Sequence, residues 1–295
     1  FFHPDDCRNF FEIVDKDPVI KPAQEPGIIW QEKNAVQKHL ISCVSLKCIS
    51  LNRIQRKRFK VVIDSINGAG SDALPAMLQA LGCEVIELNC EPNGNFTRGT
   101  EPLPENLADL SHMVKKHHAN VGFAIDPDAD RLAIVNEKGE PLGEEYTIVL
   151  AADGYLKEMN QIEKFVLNLS SSLALEKLAE SKGSSVVRSA VGEINVVNKM
   201  NEVSSNLGGE GNGGVILREC HLGRDSLVGV TMVLNRMSQS NEPLSRIHKS
   251  LPQFVIVKDK VNIKGINAED IIKKAASFFK NAEKNTLDGI KFIWE

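Results

Sequence analysis

The sequence predicts an α/β protein: two consecutive, similar α/β modules with mixed sheets, over residues 57–160 and 161–254. A helical segment, residues 1–56, precedes them, and residues 255–295 begin a further unit. Three observations carry this reading. From Phe59, a buried strand, a glycine turn, a helix and a second strand follow in order, a β-α-β unit that implies parallel pairing. A second alternation of strands and helices starts at Lys164. The chain's 295 residues also exceed what one hydrophobic core usually holds.

Taken in order, Pro4, Pro18, Pro22 and Pro26 divide the first residues, leaving a short helix near Asp5–Val14. Val36, Leu40, Val44, Leu46 and Ile49 recur at helical spacing, which predicts a connecting helix over residues 33–54. The first module then reads strand Lys60–Asp64, turn Gly68–Gly70, helix Ser71–Leu81, strand Glu84–Leu88, a polar loop Glu91–Pro104, helix Glu105–His118, strands at Val121–Ile125 and Leu132–Val135, and helix Glu144–Met159. The second reads strand Phe165–Leu169, helix Ala174–Lys182, strand Ser185–Arg188, helix Ile194–Met200, a glycine-rich loop Leu207–Gly214, strand Val215–Leu217 and helix Ser226–Met237. Beyond Pro252 a strand is expected at Val255–Ile263, a helix at Asn267–Lys284 and the start of a strand at Gly289–Glu295. A sequence without an initiator methionine that stops inside a strand is expected to be a piece of a longer protein.

Composition narrows the function classes. With 42% hydrophobic and 25% charged residues and a net charge of −4, the chain is an ordinary globular protein. The basic run Arg53–Arg58 is too short for a nucleic-acid face and reads as a solvated turn. No apolar run reaches the ~20 residues of a membrane span, and the N-terminus lacks a basic region followed by an apolar one. The six cysteines contain no Cys-x-x-Cys pair. Reduced cysteines serving as small apolar residues, in a cytoplasmic protein, are the expectation.

The stretch richest in chemistry is Asp126-Pro127-Asp128-Ala129-Asp130-Arg131, held between two apolar strands. Three carboxylates so close repel and raise one another's pKa. A divalent cation resolves that conflict, and all-oxygen ligation suits Mg²⁺ or Ca²⁺ rather than zinc. Asp126, Asp128, Asp130 and Glu137 fit an EF-hand count, but Arg131 stands where that loop needs glycine, and a strand follows instead of a helix. A fixed arginine beside a metal suits an anionic, phosphate-bearing ligand. Gly68-Ala69-Gly70-Ser71-Asp72-Ala73, after a strand and with Glu87 about twenty residues on, matches a dinucleotide-binding fingerprint. A plain strand-to-helix turn would look the same. In Gly209-Glu210-Gly211-Asn212-Gly213-Gly214, glycines let backbone approach a ligand, while Glu210 and Asn212 offer partners suited to sugar hydroxyls. Ser170–Ser172 and Arg188–Glu193 fall at strand ends, where open α/β sheets collect ligands.

Together, over about residues 58–252, these motifs resemble the α-D-phosphohexomutase family, which includes phosphoglucomutase, phosphomannomutase and phosphoglucosamine mutase. Asp126–Arg131 resembles the family's Asp-Gly-Asp-Gly-Asp-Arg metal loop with both glycines replaced. Gly209–Gly213 resembles its Gly-Glu-x-Ser-Gly sugar loop, with Asn212 in the serine's place. Arg188–Glu193 resembles its Arg-Thr-x-Val-Gly-Asp turn, with Ile194 where a basic residue follows. The two modules would then be the second and third of four domains.

The resemblance implies Mg²⁺ on Asp126, Asp128 and Asp130, with Arg131 orienting the phosphoryl group. It also implies substrate contacts from Glu210, Asn212, Gly213, Arg188 and Gly192. The implied reaction passes a phosphoryl group from a phosphoserine to a hexose phosphate and takes back the other phosphate from the bisphosphorylated sugar. The Glu210-Gly211-Asn212 variant leans towards glucosamine phosphate over mannose or glucose phosphate. Neither a Ser-His-Asn-Pro nucleophile segment nor an Arg-x-Ser-x-Thr-Glu-Pro phosphate loop occurs in these residues, so the chain alone is expected to be inactive. Two other readings stand beside this one: a dinucleotide-dependent oxidoreductase built on Gly68–Ala73, and a non-catalytic sugar-phosphate binder.

Overall fold

The computed structural model describes residues 2, 4–19, 27–257, 265 and 267–294. It divides into two units, Phe1–His39 and Leu40–Glu295. The first contains α1 (Pro4–Asp15) and a local polar turn, in which Glu32 accepts from the Asn34 amide at 2.8 Å and from Lys38 at 3.0 Å. Helix α2 (Ala35–Val44) starts in this unit, and from Leu40 onward it belongs to the second.

The second unit holds two sheets with one topology. In the first sheet, β1 (Lys60–Asp64), β2 (Glu84–Leu88), β3 (Val121–Ile125) and β4 (Leu132–Asn136) stand in the order β2-β1-β3-β4. In the second, β5 (Lys164–Asn168), β6 (Ser185–Ser189), β7 (Leu207–Gly209) and β8 (Val215–Leu217) stand in the order β6-β5-β7-β8. Strands β1 and β5 each pair in parallel on both sides, and each sheet ends in an antiparallel hairpin, β3–β4 or β7–β8. The duplicated architecture is therefore topological: the acidic loop and the glycine-rich loop are the corresponding hairpin connections of the two sheets.

Strand periodicity explains the layers. Along β1, Val61 and Ile63 face the large common core, while Val62 packs with Leu110 and Val114 of α5 (Ala108–His117) on the other face. In β5, Phe165 and Leu167 face the common core, and Val166 packs with Val196 and Met200 of α8 (Glu193–Glu202). The common core also contains α4 (Ala73–Ala80), α6 (Tyr146–Met159), α7 (Ala174–Ser181) and α9 (Ser226–Ser238). Helix α9 is buried along its whole length, and α6 from Tyr146 to Leu156, which is why neither shows a polar stripe. They approach closely at Gly154, where a Cβ would sit 2.9 Å from the Arg236 Cβ. The buried Arg236 guanidinium pairs there with the buried Asp153 carboxylate.

Several expectations require correction. The continuous helix over residues 33–54 is two helices, α2 and α3 (Leu51–Lys57). Between them Leu46 and Cys48 are buried, and the Ser50 amide donates to Asn235 Oδ1 at 3.0 Å, so tertiary contacts turn the chain where spacing alone would continue it. Leu207–Gly209 is strand β7 rather than loop. Crowding explains its glycines: a Cβ on Gly209 would run into the backbone oxygen of Gly214, and one on Gly208 would press on the Met200 side chain. Helix α10 (Leu244–Ser250) was not foreseen. Val255–Val257 has no regular structure, and the rest of the strand expected to Ile263 lies outside the described residues. Helix α11 (Ala268–Phe278) ends earlier than expected, and β9 (Glu283–Asn285) pairs antiparallel with β10 (Lys291–Ile293).

Candidate active site

The acidic loop joins β3 to β4, and hairpin pairing of Ile125 with Leu132 closes it. Asp126 Oδ1 accepts the Asp130 and Arg131 amides, both at 3.0 Å, and Ala129 takes a positive φ of 62° to complete the turn. This folding brings one carboxylate oxygen from each of Asp126, Asp128 and Asp130 within 4.8 Å of the others. Asp126 is buried and Asp128 exposed. Burial, joined by the Asp130 and Asp128 charges and opposed by the Arg131 amide, pushes the Asp126 carboxyl up to about 7. Arg131 Nε lies 3.5 Å from Asp126 Oδ2 and 3.7 Å from Asp130 Oδ1. Both Arg131 Nε and Asp130 Oδ1 are buried without a hydrogen bond.

The Gly68–Gly70 turn packs beneath this loop. The Ala69 amide donates to Pro127 O at 2.8 Å, and a Cβ on Gly68 would lie 2.6 Å from that same oxygen. A Cβ on Gly70 would run into Ile125 Cδ1. The close approach that a dinucleotide would need is thus occupied by the protein's own acidic loop. Arg98 is a support not foreseen from sequence: it donates to Asp64 Oδ2 at 2.7 Å and to Ile125 O at 2.6 Å, joining β1 to the loop's entry.

The glycine-rich loop joins β7 to β8 and meets the acidic loop directly. The Leu132 amide donates to Gly213 O at 3.1 Å, and Arg131 bridges to Gly214 as in an antiparallel strand pair. Gly213 has φ of 94°, and a Cβ there would lie 2.5 Å from Leu132 O. Glu210 is buried; its Oε1 accepts from Asn168 Nδ2 at 2.7 Å and from the Gly192 amide at 3.2 Å. Asn212 Nδ2 donates to Glu210 Oε2 at 3.4 Å, and Asn212 Oδ1 accepts the Gly214 amide at 3.2 Å. Glu210, Asn212, Gly213 and Gly192 are therefore brought together.

Arg188 is placed differently. Its guanidinium donates to Glu176 Oε1 at 2.8 Å and to the carbonyls of Asn168, Ser171 and Ser172 at 2.6, 3.0 and 2.9 Å. It holds the Ser170–Ser172 loop in position.

Arg224 is the site residue that motif reading missed. Its guanidinium pairs with Asp130 Oδ2 of the acidic loop, donates to Glu210 Oε2 of the glycine-rich loop at 2.7 Å, and lies 3.2 Å from Glu193 Oε2. Burial works to lower the Arg224 pKa, and the charges of Asp130, Glu210 and Glu193 overcome it and raise the value. Arg224 stands just before Asp225, whose carboxylate accepts the Leu227 and Val228 amides at the start of α9. Gly-Arg-Asp ahead of an apolar helix was the available signal, although it names no partner.

Chemically, the arrangement offers three clustered carboxylates, a fixed guanidinium, and a glutamate–asparagine pair on a crowded glycine loop. The donor set is all oxygen, and Asp130 Oδ1 remains as a buried acceptor without a hydrogen bond, which fits a hard divalent cation such as Mg²⁺. Among the described residues, no helix is long and apolar enough to cross a membrane.

Comparison with known proteins identifies the family of the two modules. The family model for phosphoglucomutase/phosphomannomutase α/β/α domain II matches residues 37–139, and the model for domain III matches residues 143–254. A phosphoglucomutase/phosphomannomutase of Thermococcus kodakarensis is 34% identical over 249 residues, covering 84% of this chain and 54% of the relative. A phosphoglucosamine mutase of Campylobacter hominis is 36% identical over 239 residues, covering 80% of this chain and 52% of its own length. The chain thus spans about half the length of these curated relatives. The crystal structure of a phosphoglucomutase/phosphomannomutase family protein from Burkholderia thailandensis superposes with a TM-score of 0.82 at 25% identity, over 100% of this chain and 62% of that one.

Proposed function

The chain belongs to the phosphoglucomutase/phosphomannomutase family, and on that premise we propose that it carries the metal-binding and sugar-binding parts of a phosphohexomutase site. The whole reaction interconverts hexose 6-phosphate and hexose 1-phosphate through a phosphoserine and a bisphosphorylated sugar. The supporting observation is the joining of two corresponding hairpin loops through Arg224, with Asp130 on one side and Glu210 on the other.

In this reading Asp126, Asp128 and Asp130 would hold Mg²⁺, which when bound would neutralise charge on the transferring phosphoryl group. Arg131 orients that group from the acidic loop. Glu210 and Asn212 bind sugar hydroxyls, and the Gly213 and Gly192 backbone sets the loop they approach from. Arg188 acts by positioning the Ser170–Ser172 loop. Glucosamine phosphate is the proposed hexose, on the strength of Asn212 in the sugar loop.

The sequence contains no Ser-His-Asn-Pro segment, so the 295-residue chain alone is proposed to bind without turning over. Calorimetric titration with glucosamine, mannose and glucose 6-phosphates in Mg²⁺ tests the reading. Tightest binding of glucosamine 6-phosphate is expected; no heat with any of the three would refute it. Turnover above blank in a coupled mutase assay would refute the inactivity of the isolated chain.

A further inference from the structure

A second cluster of ligating groups shares no residue with the carboxylate site. Cys43 lies on α2, fully buried. Cys220 lies in the turn after β8, its amide donating to Leu217 O at 2.9 Å. Asp225 follows five residues later, with its amide on Val215 O at 2.9 Å. The Cys43 and Cys220 sulfurs and one Asp225 carboxylate oxygen all lie within 4.8 Å of one another. Ligand atoms around one tetrahedral Zn²⁺ stand ~3.3–3.8 Å apart, given its usual bond lengths. Closing the cluster around an ion therefore needs shifts of about an ångström.

The surroundings hold these groups in place. Asp225 Oδ1 accepts the Leu227 and Val228 amides at 2.8 and 3.1 Å, which fixes the carboxylate at the start of α9. Asp225 Oδ2 lies 2.8 Å from His221 Nε2. A ligating carboxylate is in turn held by hydrogen bonds from an outer layer of groups, and His221 stands in that position here. Two sulfurs with one carboxylate are borderline-soft donors, which select zinc and disfavour the Mg²⁺ proposed for the acidic loop.

We propose that Cys43, Cys220 and Asp225 bind Zn²⁺ and thereby clip α2 to the turn between β8 and α9. Binding converts two thiols to thiolates and releases two protons per ion, and one tetrahedral position remains for a further ligand. No oxidation is involved.

Co²⁺ titration of the reduced, metal-stripped full chain tests this proposal. One equivalent of Co²⁺ is expected to give a near-ultraviolet sulfur-to-cobalt charge-transfer band that Zn²⁺ bleaches. Oxygen ligation in the acidic loop gives no such band, so the two sites are distinguishable. Cys43→Ser and Cys220→Ser should both lose it, and Cys83→Ser should keep it. Cys43 is in the core, so the half-buried Cys220 supplies the decisive variant if Cys43→Ser fails to fold. His221→Gln should weaken Zn²⁺ binding about tenfold or more while the band persists. Absence of the band, or its survival in Cys220→Ser, overturns the proposal. So does a quantitative Cys43–Cys220 disulfide in peptide maps of protein purified with Zn²⁺ present.

Discussion

Arg224→Met removes the cation that joins the two loops and retains much of the side chain's volume. In the native protein, Arg224 is 13% exposed and faces Glu210, Glu193 and Asp130, which are 3%, 10% and 19% exposed. Removing one partner of a buried ion pair costs about 3–5 kcal/mol, because the remaining charges are left uncompensated. The partial exposure of Asp130 and Glu193 favours the lower end, about 3 kcal/mol. For a unit of this size each kcal/mol moves Tm by about 2–4 °C, so a fall of about 6–12 °C is expected.

The same substitution frees an Asp130 oxygen that Arg224 holds. Mg²⁺ should then stabilise the variant more than the native protein. A tenfold gain in affinity corresponds to about 1.4 kcal/mol, an additional rise of about 3–6 °C at saturating Mg²⁺. Differential scanning fluorimetry of both proteins with and without Mg²⁺ measures both quantities. A variant within about 2 °C of the native Tm, or equal Mg²⁺ shifts in the two proteins, would refute the reasoning.

Two further predictions concern the same loops. Asp126 is held up to about 7 by burial and its acidic neighbours, well above an unfolded aspartate at about 3.9. Between those two values the folded chain holds a proton that the unfolded chain has released, so the metal-free Tm should fall as pH rises from about 4 to about 7 and level off above that. Mg²⁺ must displace the same proton, so its affinity should rise by up to about tenfold per unit below 7 and then level off. Asp126→Asn should flatten the Tm profile, and an unchanged profile in that variant would contradict the assignment. Gly213→Ala places a Cβ 2.5 Å from Leu132 O at a φ of 94°, so hexose-phosphate binding should be lost together with about 2–4 kcal/mol of stability in urea unfolding.

What could be read in the sequence follows from locality. The acidic loop was legible because its carboxylates and its arginine fall in one short run bounded by two apolar strands. The β-α-β units were legible from the alternation of apolar strands with helices and from the Gly68–Gly70 turn. Arg224 was not, because its partners Asp130, Glu193 and Glu210 come from three distant segments and only the tertiary fold assembles them. Strand β7 was hidden by its glycines, whose lack of a side chain serves packing against Met200 rather than turning the chain. The break between α2 and α3 comes from Asn235 capturing the Ser50 amide, 185 residues away. Arg188 matched a motif position, yet the fold directs its guanidinium to Glu176 and to the backbone of the Ser170–Ser172 loop that follows β5. The correspondence between the acidic and glycine-rich loops lies in sheet topology, and no residue-level repeat records it.

The central claim is that these two loops form one site for a metal ion and a hexose phosphate. Isothermal titration of glucosamine 6-phosphate, in Mg²⁺, into the native chain, Asp128→Asn and Glu210→Gln tests it most directly. Asp128 is the exposed carboxylate of its loop, so its substitution should leave folding intact. The account predicts Mg²⁺-dependent binding that each substitution weakens by about tenfold or more, the size of losing one charge-assisted contact. Binding that ignores Mg²⁺, or that either substitution leaves unchanged, would contradict a shared site.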